Sequence, residues 1–508
     1  MAIIPLLWAK ISDLGIVINQ SLRSSAIAYL GVIVGYVNLL VLFPYYLSSE
    51  QIGLMRLVQS VAFLMATFGQ FGLPQSVIRF FPEVKENKGF LLATLVGGYL
   101  GCALLGLILL AFESPITSYF SERSALFTEY LLTTFLITVF LVQFKILEAF
   151  SRSHLKTVMP NFVRDVQLRL FTLLLVLAFA FKLVTFDQMV KAMIIMYLSM
   201  AISMIIYLKR LKLLSLSVNF RFLRGTLFKR IFRYALYAVI GASGTQIVLQ
   251  IDAVMVSGEL GLTETGIYTI AFFIGVVIEI PMRAIGQVTA TLISRASKDN
   301  DMAATLKIYR QTSINQMILG TLLLIGIWAN LENIYQLIPN GDIYRGGMGV
   351  VLFIGLGKLS DMSFGVNGEI IVMSKHYRFN VLALLTLSVL TIVLNLLLIP
   401  EFGLEGAAIA SFLAMLTFNL IKFIFVWVKF RIQPFTMSTI KFLGIAIIAV
   451  FINYLIPDLQ MVIPDILVRS TAITLVILGL SFLLKISPEG NAIVRRLQDN
   501  FFRRKRQS

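Results

Sequence analysis

Nine ionisable side chains lie well inside long apolar runs: Arg56, Lys191, Asp252, Glu279, Arg283, Lys358, Asp361, Glu369 and Lys422. In hydrocarbon each costs roughly 2.5–3.5 kcal/mol on insertion scales, so each is expected to face protein or a watery cavity. Glu279 and Arg283, in "VVIEIPMRAIGQV", stand at i and i+4 on one helix face. They either neutralise each other or face a cavity beside a kink at Pro281, whose missing N–H frees the carbonyl near position 277. Water in that cavity would satisfy the carbonyl and both charges, which favours the second reading for Arg283. Lys358 and Asp361, in "GLGKLSDMSFGVNGE", stand at i and i+3 with the same two readings. Arg56 either snorkels to headgroups or offers its planar fork to a phosphate. Asp252, near the outer end of its segment, reads as a cap or a pair near the interface. Lys191 and Lys422 read as snorkelling or packed, and Glu369 as near the inner interface.

This chemistry is anion binding and charge compensation, with no bond-making. The single cysteine, Cys102, rules out an internal disulfide, and the two histidines, His154 and His376, are far apart. No metal-ligand spacing occurs, "GLGK" lacks the spacing of a phosphate loop, and "DND" at 299–301 lies in a short loop with no domain to hold a nucleotide sugar. No catalytic residue, cofactor or metal site is expected, and the chain is read as a non-enzyme.

The elements that position these residues are membrane helices. The 508 residues are 58% hydrophobic and 14% charged, against roughly 25% charged in soluble domains, and the mean hydropathy is +0.88. About fourteen apolar segments of spanning length follow one another. The second, eighth and tenth (54–78, 265–290 and 348–373) carry proline, glycines or polar residues and are expected to be tilted or broken. The formal net charge of +17 suits a nucleic-acid partner only if topology does not absorb it. It does: most Lys and Arg fall in alternate loops on one side, while Arg123, Lys182, Arg345 and Arg469 are the basic residues of the other. The basic side is therefore cytoplasmic, both termini lie inside, and no nucleic acid is required. Membrane lipids are expected partners of the basic segment "KRLKLLSLSVNFRFLRGTLFKRIFR" and of the tail "VRRLQDNFFRRKRQS". The N-terminal stretch, with Trp8 and Lys10, reads as an amphipathic surface segment.

The expected organisation is an N-terminal six-helix lobe (1–208), a basic cytoplasmic linker (209–233), a second six-helix lobe (234–430), and two further spans with a basic tail (431–508). "LSSEQIGLM" (47–55) and "LTETGIY" (262–268) form a weak repeat six segments apart. An even spacing gives both copies one orientation, hence lobes related by a pseudo-two-fold axis near the membrane normal. "LIPEFGLEGAAIAS" (398–411) reads as the turn between the eleventh and twelfth segments.

These turns carry a family resemblance. "VLQIDAVMVSGELGLTETGIYTIAFFI" (248–274), "LIPEFGLEGAAIAS" and "YYLSSEQIGLMRLVQSVAFLMATFGQFGLPQSVIRFFPE" (45–83) resemble the polysaccharide exporters of the multidrug/oligosaccharidyl-lipid/polysaccharide (MOP) superfamily. The resemblance implies two six-helix bundles around a central cavity, two extra C-terminal helices, and flipping of a polyprenyl-diphosphate-linked saccharide by alternating access. Arg56, Glu279, Arg283 and Lys358 are then the substrate-contact candidates, and Asp252 and Asp361 those for Na+ or H+ coupling. A bacterial cytoplasmic membrane location and partners such as a polysaccharide polymerase and chain-length proteins are expected. The alternative is a cation-coupled multidrug or small-molecule exporter of the same superfamily. A membrane glycosyltransferase or polymerase fits less well, since every outer loop is short.

Overall fold

The computed structural model describes residues 26–84, 89–214 and 225–492. The N-terminal surface segment, the centre of the basic linker and the tail from residue 494 lie outside the described residues. Among those described the chain is helical and contains no strand. Its contacts divide it into two compact units, Met1–Gly266 and Ile267–Ser508.

The first unit contains α1 (Ala26–Tyr46), α2 (Ser49–Gly69), α3 (Leu73–Val84), α4 (Phe90–Ala111), α5 (Leu131–Ser153), α6 (Leu168–Ala180), α7 (Phe186–Arg210) and α8 (Thr226–Glu259). Its core forms where α2, through Leu54, Leu57, Val58 and Ala62, packs among α5 and α8. α5 adds Ile137, Leu141 and Val142. By contrast α4 turns Leu100, Leu104, Leu107 and Leu110 outward, as a helix in lipid does, because acyl chains are as apolar as leucine. The contact boundary at Gly266 falls later than the basic segment 209–233, because α8 packs along α2.

α2 starts at a capping box: Ser48 Oγ accepts from Gln51 N–H, and Gln51 Oε1 accepts from Ser48 N–H. This satisfies two of the orphan donors at the helix start. α2 and α3 are one apolar segment interrupted by two left-handed residues, Phe71 (φ 47°) and Gly72 (φ 64°). A β-carbon on Gly72 would lie 2.2 Å from the Ala235 carbonyl of α8, so only glycine fits this approach.

The second unit contains most of α9 (Leu262–Val276), α10 (Ile280–Lys298), α11 (Met302–Ala329), α12 (Met348–Ser363), α13 (Asn367–Val372), α14 (Tyr377–Phe430), α15 (Met437–Leu455) and α16 (Val462–Leu483). α12 packs on α14 and α11, and the last pair, α15 and α16, rests on α11 through Ile318, Ile325, Phe442, Ile445, Ile473 and Ile477. Between α9 and α10 lies a 3-10 turn, Val277–Glu279, and Pro281 occupies the first turn of α10. Proline is at home there, since its missing N–H has no helical partner to lose. All three segments expected to be broken are broken.

Eleven helices among the described residues are long and apolar enough to cross a membrane, against about fourteen expected. Three departures account for the difference. The fifth segment follows a π-turn at Val163–Gln167 and its α-helix, α6, spans only Leu168–Ala180. The tenth stops at Ser363 and resumes at Asn367. The eleventh and twelfth run together as α14, two helices meeting at Gly403, whose backbone (φ 59°, ψ −132°) is not helical.

The two repeat strings meet. A β-carbon on Gly53 would stand 1.9 Å from the Leu262 carbonyl, and one on Gly266 would stand 1.9 Å from the Ser49 carbonyl. Each glycine thus lies against the carbonyl four residues before the other. The contact is reciprocal, and it needs a bare backbone on both sides.

Candidate functional site

The second unit brings four of the intramembrane charges into two ion pairs that cross between helices. Lys358 Nζ on α12 lies 2.6 Å from Glu279 Oε2 in the 3-10 turn, both side chains being largely buried. One turn further along α12, Asp361 lies 3.8 Å from Lys422 Nζ on α14. Lys422 is 5% exposed, sits 3.9 Å over the Phe418 ring and also feels the Glu369 carboxylate. The within-helix pairing of Lys358 with Asp361, open from their spacing, is not adopted. Successive residues on α12 instead hold partners on different elements, which lets the charges tie helices together. The Arg283 side chain lies outside the described residues, so its relation to Glu279 stays a sequence expectation.

The first unit holds the other candidates. Arg56 on α2 reaches the Leu249 carbonyl of α8 at 3.5 Å, a long contact. Asp252, a turn further along α8, is 5% exposed. Lys191 pairs with Asp187 at 2.9 Å on an exposed surface, as its snorkelling reading expected.

A cavity of about 370 Å³ in the first unit was not foreseen from sequence. It is lined by Gln70 and Gln75 at the α2–α3 break, Lys145, Glu148 and Arg152 on α5, and Gln246 on α8. Glu148 is held by Arg152 at 2.7 Å and by Arg164 at 2.9 Å. Lys145 has no hydrogen bond or ion pair among the described residues, and its ammonium lies 5.8 Å from the Phe63 ring centre. The amide oxygens of Gln70, Gln75 and Gln246 are buried and have no hydrogen-bond partner among the described residues. Lys145 stands eight residues before the end of α5, which places it about 12 Å along the helix axis at 1.5 Å per residue. Its sequence context hides it. Lys145 lies close enough to Arg152 to be counted with the loop charges, and the glutamines are too weakly polar to break an apolar window.

A second buried cation, Arg469 on α16, was read only as an outer-edge residue. It is 5% exposed and fully engaged: Nε donates to Asp465 at 2.7 Å, Nη2 to Asp458 at 2.5 Å, and Nη1 to the Asn453 side chain at 3.0 Å. Asn333 Nδ2 donates to Asp465 as well, at 2.6 Å. With its donors consumed, this guanidinium fastens α15 to α16 and leaves little for a ligand.

Among the described residues, no group of His, Cys, Asp and Glu has the makings of a metal site.

Residues 20–297 match the sequence model of a family described as polysaccharide biosynthesis protein. No curated protein matches the chain. Among solved structures, the chain is similar to the lipid II flippase MurJ in an inward closed conformation, with a TM-score of 0.72 and 16% identity over 91% of this chain and 98% of that one. It is also similar to an inward-facing multidrug resistance MATE family transporter of the MOP superfamily (TM-score 0.58, 12% identity, 80% of this chain and 98% of that one). A MOP superfamily transporter from Pyrococcus furiosus, described by the reverse polarity of its binding pocket, matches with a TM-score of 0.53 and 14% identity over 82% and 95% of the two chains. At these identities the likeness is one of fold.

Proposed function

This chain belongs to the polysaccharide biosynthesis protein family, and we propose that it flips a polyprenyl-diphosphate-linked oligosaccharide across the bacterial cytoplasmic membrane. The observation that carries this reading is the polar cavity around Lys145, set among membrane-spanning helices and lined by glutamines, a lysine, an arginine and a glutamate, Glu148, that is itself paired with Arg152 and Arg164. Such a lining costs stability in a membrane protein unless something hydrophilic uses it. A cationic drug would be repelled by Lys145, whereas a saccharide on an anionic diphosphate meets both amides and positive charge.

On this reading the prenyl chain stays in lipid while the headgroup moves through the protein, and the two lobes alternate in access. Arg56 and Arg283 are assigned to the diphosphate because a guanidinium presents paired donors to phosphate oxygens. Lys358 and Glu279 take part as an exchangeable pair: a phosphate reaching Lys358 must displace Glu279 from its 2.6 Å contact. No bond is made or broken, so the protein acts as a transporter. A polysaccharide polymerase and chain-length proteins are the partners this product calls for.

A second reading, cation-coupled export, is favoured by Asp361, whose 3.8 Å separation from Lys422 is the longest ion-pair distance among the described residues of the unit. A carboxylate held that loosely is open to Na+ or H+. The two readings separate in proteoliposomes carrying a defined lipid-linked oligosaccharide and no ion gradient. The flippase reading expects the headgroup to appear on the opposite leaflet, and Arg283→Ala to abolish this while the protein still inserts. Transport only of small cations against a Na+ or H+ gradient would refute it, and full flipping by Arg283→Ala would remove Arg283 from the pathway.

A further inference from the structure

We infer that the cavity between α2–α3, α5 and α8 is a sugar-hydroxyl subsite, separate from the groups assigned to the diphosphate. This inference rests on the flippase reading. Gln70, Gln75 and Gln246 each bury an amide oxygen that makes no hydrogen bond among the described residues, and Gln70 is only 3% exposed. An unsatisfied acceptor in a low-dielectric setting is costly, and three around one cavity specify what should fill it. They need hydrogen-bond donors. A phosphate at neutral pH brings acceptors and would leave these oxygens unanswered. A saccharide brings several free O–H groups, each able to donate to an amide oxygen and to accept in turn.

The cavity has the complementary donors too. Lys145 offers three N–H groups with no hydrogen-bonded partner of its own, and Arg152 has a buried Nε–H without an acceptor. Glu148 is neutralised by Arg152 and Arg164, so the lining is close to balanced apart from Lys145. A balanced, amide-rich surface suits a polyhydroxyl group better than a dianion. The 370 Å³ volume lies at the lower end of the roughly 300–1,000 Å³ that ligand pockets occupy, which suits the proximal part of an oligosaccharide. The left-handed pair Phe71–Gly72 supports the assignment. By breaking the helix it presents Gln70 from the end of α2 and Gln75 from the start of α3 toward one space. In the proposed topology this space lies in the cytoplasmic half of the membrane, where a lipid-linked saccharide enters.

The test uses the full chain in lipid nanodiscs and two probes: the lipid-linked oligosaccharide extracted from the same cells, and polyprenyl diphosphate without sugar. Gln75→Leu and Gln246→Leu remove an acceptor at nearly constant volume, and Lys145→Met removes the free cation. Gel filtration confirms that each variant is folded, and a variant that aggregates is replaced by Gln75→Met or Gln246→Met. The inference expects each glutamine variant to weaken binding of the sugar-bearing lipid by about tenfold, the scale of one buried hydrogen bond. Binding of the sugar-free lipid should stay within about twofold. Equal losses for both probes would assign the cavity to the diphosphate and overturn the inference. Unchanged binding of both would leave a cavity that holds only water and would also overturn it. Wild-type protein that binds neither probe would refute the flippase reading itself, a result distinct from the other two.

Discussion

The reciprocal crossing of Gly53 and Gly266 makes a quantitative prediction about coupling. Alanine at either position puts a methyl group 1.9 Å from a backbone carbonyl oxygen. Real contacts of this kind are no closer than about 3 Å, so the helices must part by roughly 1 Å, and no flexible side chain can yield instead. Such overpacking costs about 1–3 kcal/mol. Alanine's better helix propensity returns up to about 1 kcal/mol, which leaves a net loss of about 1–2 kcal/mol for each single variant. The two methyls, however, are relieved by the same separation. Gly53→Ala with Gly266→Ala should therefore cost little more than either alone, a coupling of about 1–2 kcal/mol in the less-than-additive direction. Midpoints of heat-induced loss of the monodisperse peak, measured for the four members of the cycle, read this directly. Gly326→Ala serves as a control, because a β-carbon there meets nothing within 4 Å, and it should leave the midpoint unchanged or raise it. Strictly additive losses, or no loss in either single variant, would refute the shared-contact reasoning.

Three further predictions follow from the charged clusters and the topology. Asp465→Ala leaves the buried Arg469 guanidinium with only the exposed Asp458 as counter-charge and should destabilise the protein by up to about 3 kcal/mol, the low end of the range for breaking a buried pair, seen as a drop in the same thermal midpoint; Arg469→Leu with Asp465→Leu should recover much of that loss. Glu279→Gln leaves Lys358 without its nearest counter-charge and should cost about 2 kcal/mol, below the fully buried range because both groups retain some exposure; exchanging the two as Glu279→Lys with Lys358→Glu should restore the thermal midpoint, and failure to do so would show that orientation, not pairing, matters. In a Cys102→Ala background, Thr263→Cys should react with a membrane-impermeant maleimide from outside and Lys298→Cys only after permeabilisation; the reverse pattern would invert the proposed topology.

Helix positions were legible in the sequence because lipid imposes one rule on every segment. The breaks were legible where the sequence spends a proline or glycine on them, as at Pro281 and Gly72. The π-turn at Val163–Gln167 was not, since no residue there has a special backbone preference. Charge pairing was harder. Spacing shows which residues share a helix face, and from spacing alone Lys358 and Asp361 are natural mates. Their partners come from a turn 79 residues earlier and a helix 61 residues later, and no local pattern encodes that. Lys145 was hidden by its nearness in sequence to Arg152. Only the bend at Phe71–Gly72, which carries Gln70 and Gln75 to it, marks that region as a site. The repeat strings were visible as similar words, but similarity does not tell that the two copies touch.

The alternation of sign along α12 has a mechanical consequence. Lys358 faces a carboxylate, and one turn later Asp361 faces an ammonium. Were the helix to slip by a turn along its axis, Asp361 would arrive opposite Glu279, acid against acid. The two pairs therefore work as a key cut for a single notch: sideways tilting leaves them engaged, while axial sliding meets electrostatic refusal. While both pairs stay closed, any rearrangement of this unit pivots around that lock; opening one of them is what would release the slide.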